Sequence, residues 1–197
     1  MTSKALIIVD MQYDFIDGAL ACKGAADAVA NTVAYIRKMT ASSDADEDAI
    51  SDSIPVLFTG DCHPADHMSF TVNGGTWPVH CVKGTPGAGI HSDLVPFFSE
   101  ELMFRKGCDP AVEQYSAFLA CNGAGQSMHE VLQLLDTTDV YVCGIATEFC
   151  VRQTSTDLIE AGLKVHVMEN CLAYVDENGH RQALSEMAGK GIRIERA

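Results

Sequence analysis

The chain has 197 residues and a formal net charge of −14; 47% of its residues are hydrophobic and 20% charged. That balance predicts a globular chain with a substantial core and excludes a disordered one. The acidic excess argues against nucleic acid as a partner, because phosphate binding needs clustered Lys and Arg.

Taken in chain order, Ala5-Leu-Ile-Ile-Val9 is continuously apolar and β-branched, as a strand buried on both faces should be. From Ala25 to Met39, Val29, Val33 and Ile36 fall on one helical stripe. Residues 42–53 are small and acidic and read as a surface loop. Ile54-Pro-Val-Leu-Phe58 is a second buried strand. Residues 71–92 are rich in Gly, Pro and Thr; a loop that long in a compact domain is usually functional. Leu102-Met-Phe104 reads as a short strand, Met128 to Leu135 as a helix and Val140 to Cys143 as a strand. Val151 to Ala161 reads as a helix with Gly162 as its C-cap. Leu163 to Met168 is a strand, Glu177 to Gly189 a helix and Ile192-Arg-Ile194 a last short strand. This alternation predicts an α/β fold, a mostly parallel sheet with helices on both faces. Neither an internal repeat nor a linker interrupts it, so residues 1–197 read as a single domain.

The eight cysteines contain no C-x-x-C pair, which argues against a zinc knuckle or a thioredoxin motif. The N-terminal apolar run is too short for a signal peptide and ends in a charge. No segment approaches the ~20 apolar residues of a membrane span. The expectation is a cytoplasmic protein with free thiols and no membrane partner.

In open α/β sheets, ligands bind outside the carboxyl ends of the strands. The first strand ends in Asp10, and the second runs into Asp61-Cys-His63. The third runs into Arg105-Lys106-Gly107, and the fourth leads through Gly144 to Cys150. A buried carboxylate such as Asp10 has a raised pKa and suits a base; its plainer role is to cap the following turn. A helix N-terminus favours a thiolate at Cys150, although a lone free cysteine is more often a small buried hydrophobe. Lys106 beside a thiol and a carboxylate stabilises their anions. Asp61 and His63, two apart on an extended segment, share one side, and Cys62 points away. With His80 they form a set suited to Zn²⁺ or Fe²⁺, or else ordinary turn residues. His91, His129, His166 and His180 have no comparable company and read as structural or solvent-exposed.

Asp10-Met-Gln-Tyr-Asp-Phe15, Asp61-Cys-His63-Pro, Trp77-Pro-Val-His80-Cys, Lys106-Gly107, Tyr115-Ser-Ala-Phe118 and Gly144-Ile-Ala-Thr-Glu-Phe-Cys150-Val together resemble the nicotinamidase/pyrazinamidase branch of the isochorismatase-like cysteine hydrolases. The motifs occur in the family's order over most of the chain. The resemblance implies a Rossmann-like three-layer α/β/α fold. It also implies hydrolysis of nicotinamide to nicotinate and ammonia, a step in NAD salvage. It implies a catalytic triad of Asp10, Lys106 and Cys150, and an oxyanion site formed by the Ala146 and Cys150 N–H groups beside a cis Ile145–Ala146 bond. Substrate contacts fall on Phe15, Trp77, Tyr115 and Ile145. One divalent ion, zinc foremost with Fe or Mn as alternatives, falls on Asp61, His63 and His80, and His67 matches a fourth ligand of some members. The family usually has Asp where this chain has Glu148. Two rival readings stay open: another amidase of the superfamily acting on a carbamoyl or ureido substrate, and a non-catalytic metal-binding or thiol-sensing protein. The sequence also leaves open whether the chain forms a homo-oligomer.

Overall fold

The computed structural model describes residues 3–40 and 54–197, so the acidic loop expected over 42–53 lies outside the described residues. Six parallel strands form one sheet: β1 (Ser3–Val9), β2 (Val56–Asp61), β3 (Met103–Lys106), β4 (Thr137–Gly144), β5 (Lys164–Leu172) and β6 (Arg193–Glu195). Their order is β3-β2-β1-β4-β5-β6. The order reverses between β1 and β4. That is the switch point at which two crossovers leave in opposite directions and open a crevice above the strand ends.

Both faces of the sheet are apolar, as the uninterrupted hydrophobic runs require. Leu6 and Ile8 of β1 pack with Phe58 under α2 (Ala25–Thr40), through Ala28, Val29 and Ile36. Ala5, Ile7 and Val9 face the other way. They join Leu57, Val140 and Val165 under α3 (Met128–Leu134), α4 (Arg152–Glu160) and α5 (Glu177–Gly189). The α2 stripe is wider than read from sequence: Thr32 and Tyr35 are buried with it. A capping box, Ser127 with Glu130, starts α3. No described helix is long and apolar enough to cross a membrane.

Several elements differ from expectation. A short helix, α1 (Tyr13–Ile16), follows β1. Strand β5 runs on to Leu172. The helix expected to begin near Cys150 is preceded by a π-helical turn over Thr147–Val151. Such wide turns recur at functional sites because they swing a side chain off the ordinary helical path. The long connection after β2 folds over the rim in short 3₁₀ turns and is pinned to the segment after β1. His91 N–H donates to the Met11 carbonyl, Tyr13 N–H to Gly89, and Cys81 N–H to the Asp14 carboxylate.

Ile7 lies at the centre of the sheet with no exposed surface, whereas Leu134 is 71% exposed at the end of α3. Ile7→Ala should therefore cost about 2–5 kcal/mol in urea unfolding, and Leu134→Ala within about 0.5 kcal/mol. Equal costs would contradict this placement of the core.

Candidate active site

Adjacent strands deliver the reactive groups. β1 ends at Asp10, whose φ of +49° is a left-handed conformation that Asp tolerates better than most residues. The turn aims its carboxyl back under the rim, where the Thr59 hydroxyl donates to Oδ1 at 2.6 Å. β2 and β3 are in register, with Asp61 beside Lys106. The Lys106 ammonium, with no exposed surface, lies 2.8 Å from Asp10 Oδ2 and 3.3 Å from Cys150 Sγ, and donates to Asp61 Oδ1. Gly144, at φ +139°, is packed so tightly on Val9 that a Cβ would stand 2.2 Å from the Val9 carbonyl oxygen. This close approach carries the chain into the cis Ile145–Ala146 peptide and the π-turn that presents Cys150.

Burial sets the electrostatics. It pushes the Asp10 carboxyl up, with Lys106 opposing and Asp61 adding to the rise. Burial acts on Asp61 too, but there Lys106 and His63 outweigh it and hold the carboxyl well below its usual range. Burial works against the Lys106 charge, yet Asp10, Asp61 and Cys150 more than compensate, so the ammonium persists. The Cys150 thiol is pushed well up by burial, against the pull of Lys106. A helix N-terminus favours the thiolate; burial at this site acts in the opposite direction.

One ring nitrogen or carboxylate oxygen each from Asp61, His63 and His80 falls within 4.8 Å of the others. The histidines are oriented for a metal. His63 Nδ1 lies 2.9 Å from the Gly107 carbonyl and His80 Nδ1 lies 2.7 Å from the Pro78 carbonyl. A carbonyl only accepts, so Nδ1 carries a proton in both rings and Nε2 is the nitrogen left for another partner. Burial lowers the His80 pKa and keeps that ring neutral. For His63 burial acts the same way, but Asp61 overrides it and raises the pKa, the mark of a place that favours a cation. Two imidazoles and a carboxylate fit a divalent ion.

His67 does not join this set. Its Nδ1 pairs with the Ser69 hydroxyl at 2.7 Å and its Nε2 with the Val112 carbonyl at 3.1 Å, so both nitrogens are spent on the protein. It backs His63, with ring centroids 4.2 Å apart.

The cavity above Cys150 is lined by Phe15, Trp77, Tyr115, Ala146, Phe149 and His80, among others. Trp77 Nε1–H donates to the Tyr115 hydroxyl at 3.1 Å, and Phe149 packs edge-on against Trp77. Ile145, expected at the substrate, is fully buried in the sheet core instead; only the peptide it shares with Ala146 reaches the site. Among the described residues the Ala146 N–H donates to no protein acceptor.

Several participants escaped the sequence reading. Gln12 grips both polar atoms of the Asp61 backbone, accepting from its N–H at 2.7 Å and donating to its carbonyl at 2.9 Å. Its only signal in the sequence was its place two residues past the strand-ending Asp10. Phe149 completes the aromatic wall, and Thr59 orients Asp10. Glu148 answers the departure noted above: its Oε1 accepts from the Val175 and Asp176 N–H groups, fastening the π-turn to the end of β5.

Comparison with known proteins places this geometry. The chain is 37% identical over 194 residues to the nicotinamidase/pyrazinamidase of Mycobacterium tuberculosis, covering 97% of each. Among solved structures it superposes with a TM-score of 0.85 on a Pyrococcus horikoshii pyrazinamidase in complex with zinc, at 33% identity over 99% of both chains. With PnC1 of L. infantum in complex with nicotinate the TM-score is 0.80, at 30% identity over 99% of this chain and 93% of that one. The family model for the isochorismatase domain matches residues 4–196, and the chain belongs to that family.

Proposed function

We propose that this protein hydrolyses nicotinamide to nicotinate and ammonia through a thioester on Cys150. The observation that carries the reading is the convergence at the floor of one aromatic cavity. There Cys150 Sγ lies 3.3 Å from Lys106 Nζ, which lies 2.8 Å from Asp10, beside the Asp61/His63/His80 set. The nicotinamidase names of its relatives and the nicotinate held by the L. infantum protein supply the substrate class.

In this reading Asp10 takes the Cys150 proton as Sγ attacks the carboxamide carbon, and Lys106 stays paired with whichever group is anionic. The Ala146 and Cys150 N–H groups receive the oxyanion; losing one such donor typically costs about 3–4 kcal/mol of transition-state stabilisation. As the C–N bond breaks, protonated Asp10 gives its proton to the leaving nitrogen and ammonia departs. Asp10, a base again, draws a proton from the water that attacks the thioester. The C–S bond breaks, nicotinate leaves and the thiol is restored. Phe15 and Trp77 hold the faces of the pyridine ring. Asp61, His63 and His80 would hold a divalent ion, which would supply a Lewis-acidic centre to orient the ring, directly or through water. This reading assigns zinc, the ion of the P. horikoshii structure, with Fe²⁺ and Mn²⁺ as ions the same donors accept.

Cys150→Ala should lower kcat/KM by roughly four orders of magnitude or more while nicotinate still binds by calorimetry. Asp10→Asn should lower it by about 10²–10⁴-fold. Measurable turnover by the alanine variant would remove Cys150 from the nucleophile's role. Chelation should cut ammonia release without shifting the circular-dichroism melting curve beyond the loss of ligand stabilisation, and adding back Zn²⁺ should restore it. Full activity in protein shown by mass spectrometry to be metal-free would defeat the anchoring role.

A further inference from the structure

Cys62 and Cys108 form a thiol pair that the reaction above does not use. Cys62 follows Asp61 at the end of β2, and its N–H donates to the Lys106 carbonyl at 2.9 Å. Cys108 stands two residues past Lys106 on the neighbouring strand, its thiol 3.8 Å from that same carbonyl oxygen. Side-chain alternation sends Asp61 and His63 toward the active site and Cys62 to the opposite side. There both cysteines line an open groove of about 830 Å³ together with Lys83 and Arg105. Both cysteines thus close on the same Lys106 carbonyl, one through its N–H and the other through its thiol. Cys108 is exposed, Cys62 is half-buried and neither is in a disulfide. Cys143 and Cys171 have no exposed surface and are closed to reagents.

We propose that Cys62 and Cys108 are a redox modification site, in which a low-molecular-weight disulfide oxidises them to an intramolecular disulfide that switches the enzyme off. The proposal rests on the hydrolytic reading above. Cys108 sulfur attacks one sulfur of the small disulfide; that S–S bond breaks, and one thiol leaves with the Cys108 proton. Cys62 sulfur then attacks Cys108 sulfur in the mixed disulfide, and the second thiol leaves with the Cys62 proton. Two electrons pass from the cysteine pair to the small disulfide, and a dithiol reverses the change.

The switch follows from what flanks each sulfur. A disulfide holds its two Cα atoms within about 4.4–6.8 Å at a fixed dihedral, so forming one draws on Asp61–His63 and on Lys106–Gly107. Neither segment has slack. Gln12 grips the Asp61 main chain. Gly107, at φ +64°, passes so close under His63 that a Cβ there would lie 2.4 Å from the ring. Displacing the turn moves Lys106 away from Asp10 and Cys150.

The test treats wild type, Cys62→Ser and Cys108→Ser with oxidised glutathione. It reads the disulfide by non-reducing peptide mass spectrometry and nicotinamide hydrolysis before treatment, after it and after dithiothreitol. Wild type should form the Cys62–Cys108 bond and lose activity by on the order of ten- to a hundredfold, the scale of a ~1 Å misplacement, and recover with dithiothreitol. Both serine variants should be active at the start and stay active. Either variant alone suffices, since losing one sulfur removes the bond. Absence of the bond, a bond with full activity, or equal loss in the serine variants would each overturn the proposal. Untreated wild type inactive on nicotinamide would instead overturn the hydrolytic reading, while the disulfide map still decides whether the pair is oxidised.

Discussion

An ammonium with no exposed surface must be surrounded by negative charge, and the site is organised around Lys106 for that reason. Taking such a group out of water costs several kcal/mol unless anions replace its hydration. Asp10, Asp61 and the Cys150 sulfur do so, each from a different strand end. The parallel order β3-β2-β1-β4 makes this convergence possible, because the carboxyl ends of four neighbouring strands open on the same rim. Moving any one of them would strand a charge, so the pairing ties the sheet's register to the chemistry.

Asp61 belongs to two sets at once. Its Oδ1 accepts from Lys106 while its Oδ2 stands 3.5 Å from His63 Nε2. A carboxylate held well below its usual pKa is a permanent anion, so it can face a cation on each side. Read from sequence, the metal set and the triad met on one rim with no contact assigned between them. In the structure Asp61 bridges them through its contact with Lys106, and Gln12 fixes it by its backbone instead of its side chain. That leaves both carboxylate oxygens free for their partners.

The alternation of strands and helices was legible because apolar runs and amphipathic stripes report burial directly, and the strand ends located Asp10, Asp61, Lys106 and Cys150. The rest depended on contacts between distant segments. No spacing rule says that His67, four residues from His63, spends both ring nitrogens on Ser69 and Val112. None says that Ile145 turns into the core while its peptide bond serves the site. The π-turn was invisible because its sequence, Thr147-Glu-Phe-Cys-Val151, also suits an ordinary first helical turn. What widens it is tertiary: Glu148 is held by two N–H groups after β5, and the Thr147 N–H by the Ala173 carbonyl.

The raised pKa of Cys150 is consistent with its role once Asp10 is considered beside it. Burial disfavours the anion of each, so it raises both acids together. A lone buried thiol would be inert, and a lone buried carboxylate would hold its proton. Lys106 lies within reach of both, so the single negative charge stays paired whether it resides on oxygen or sulfur. The low-dielectric setting then strengthens that pairing and the hold on the oxyanion. Desolvation and reactivity are therefore compatible here because the proton's donor, its acceptor and their counter-ion are buried together.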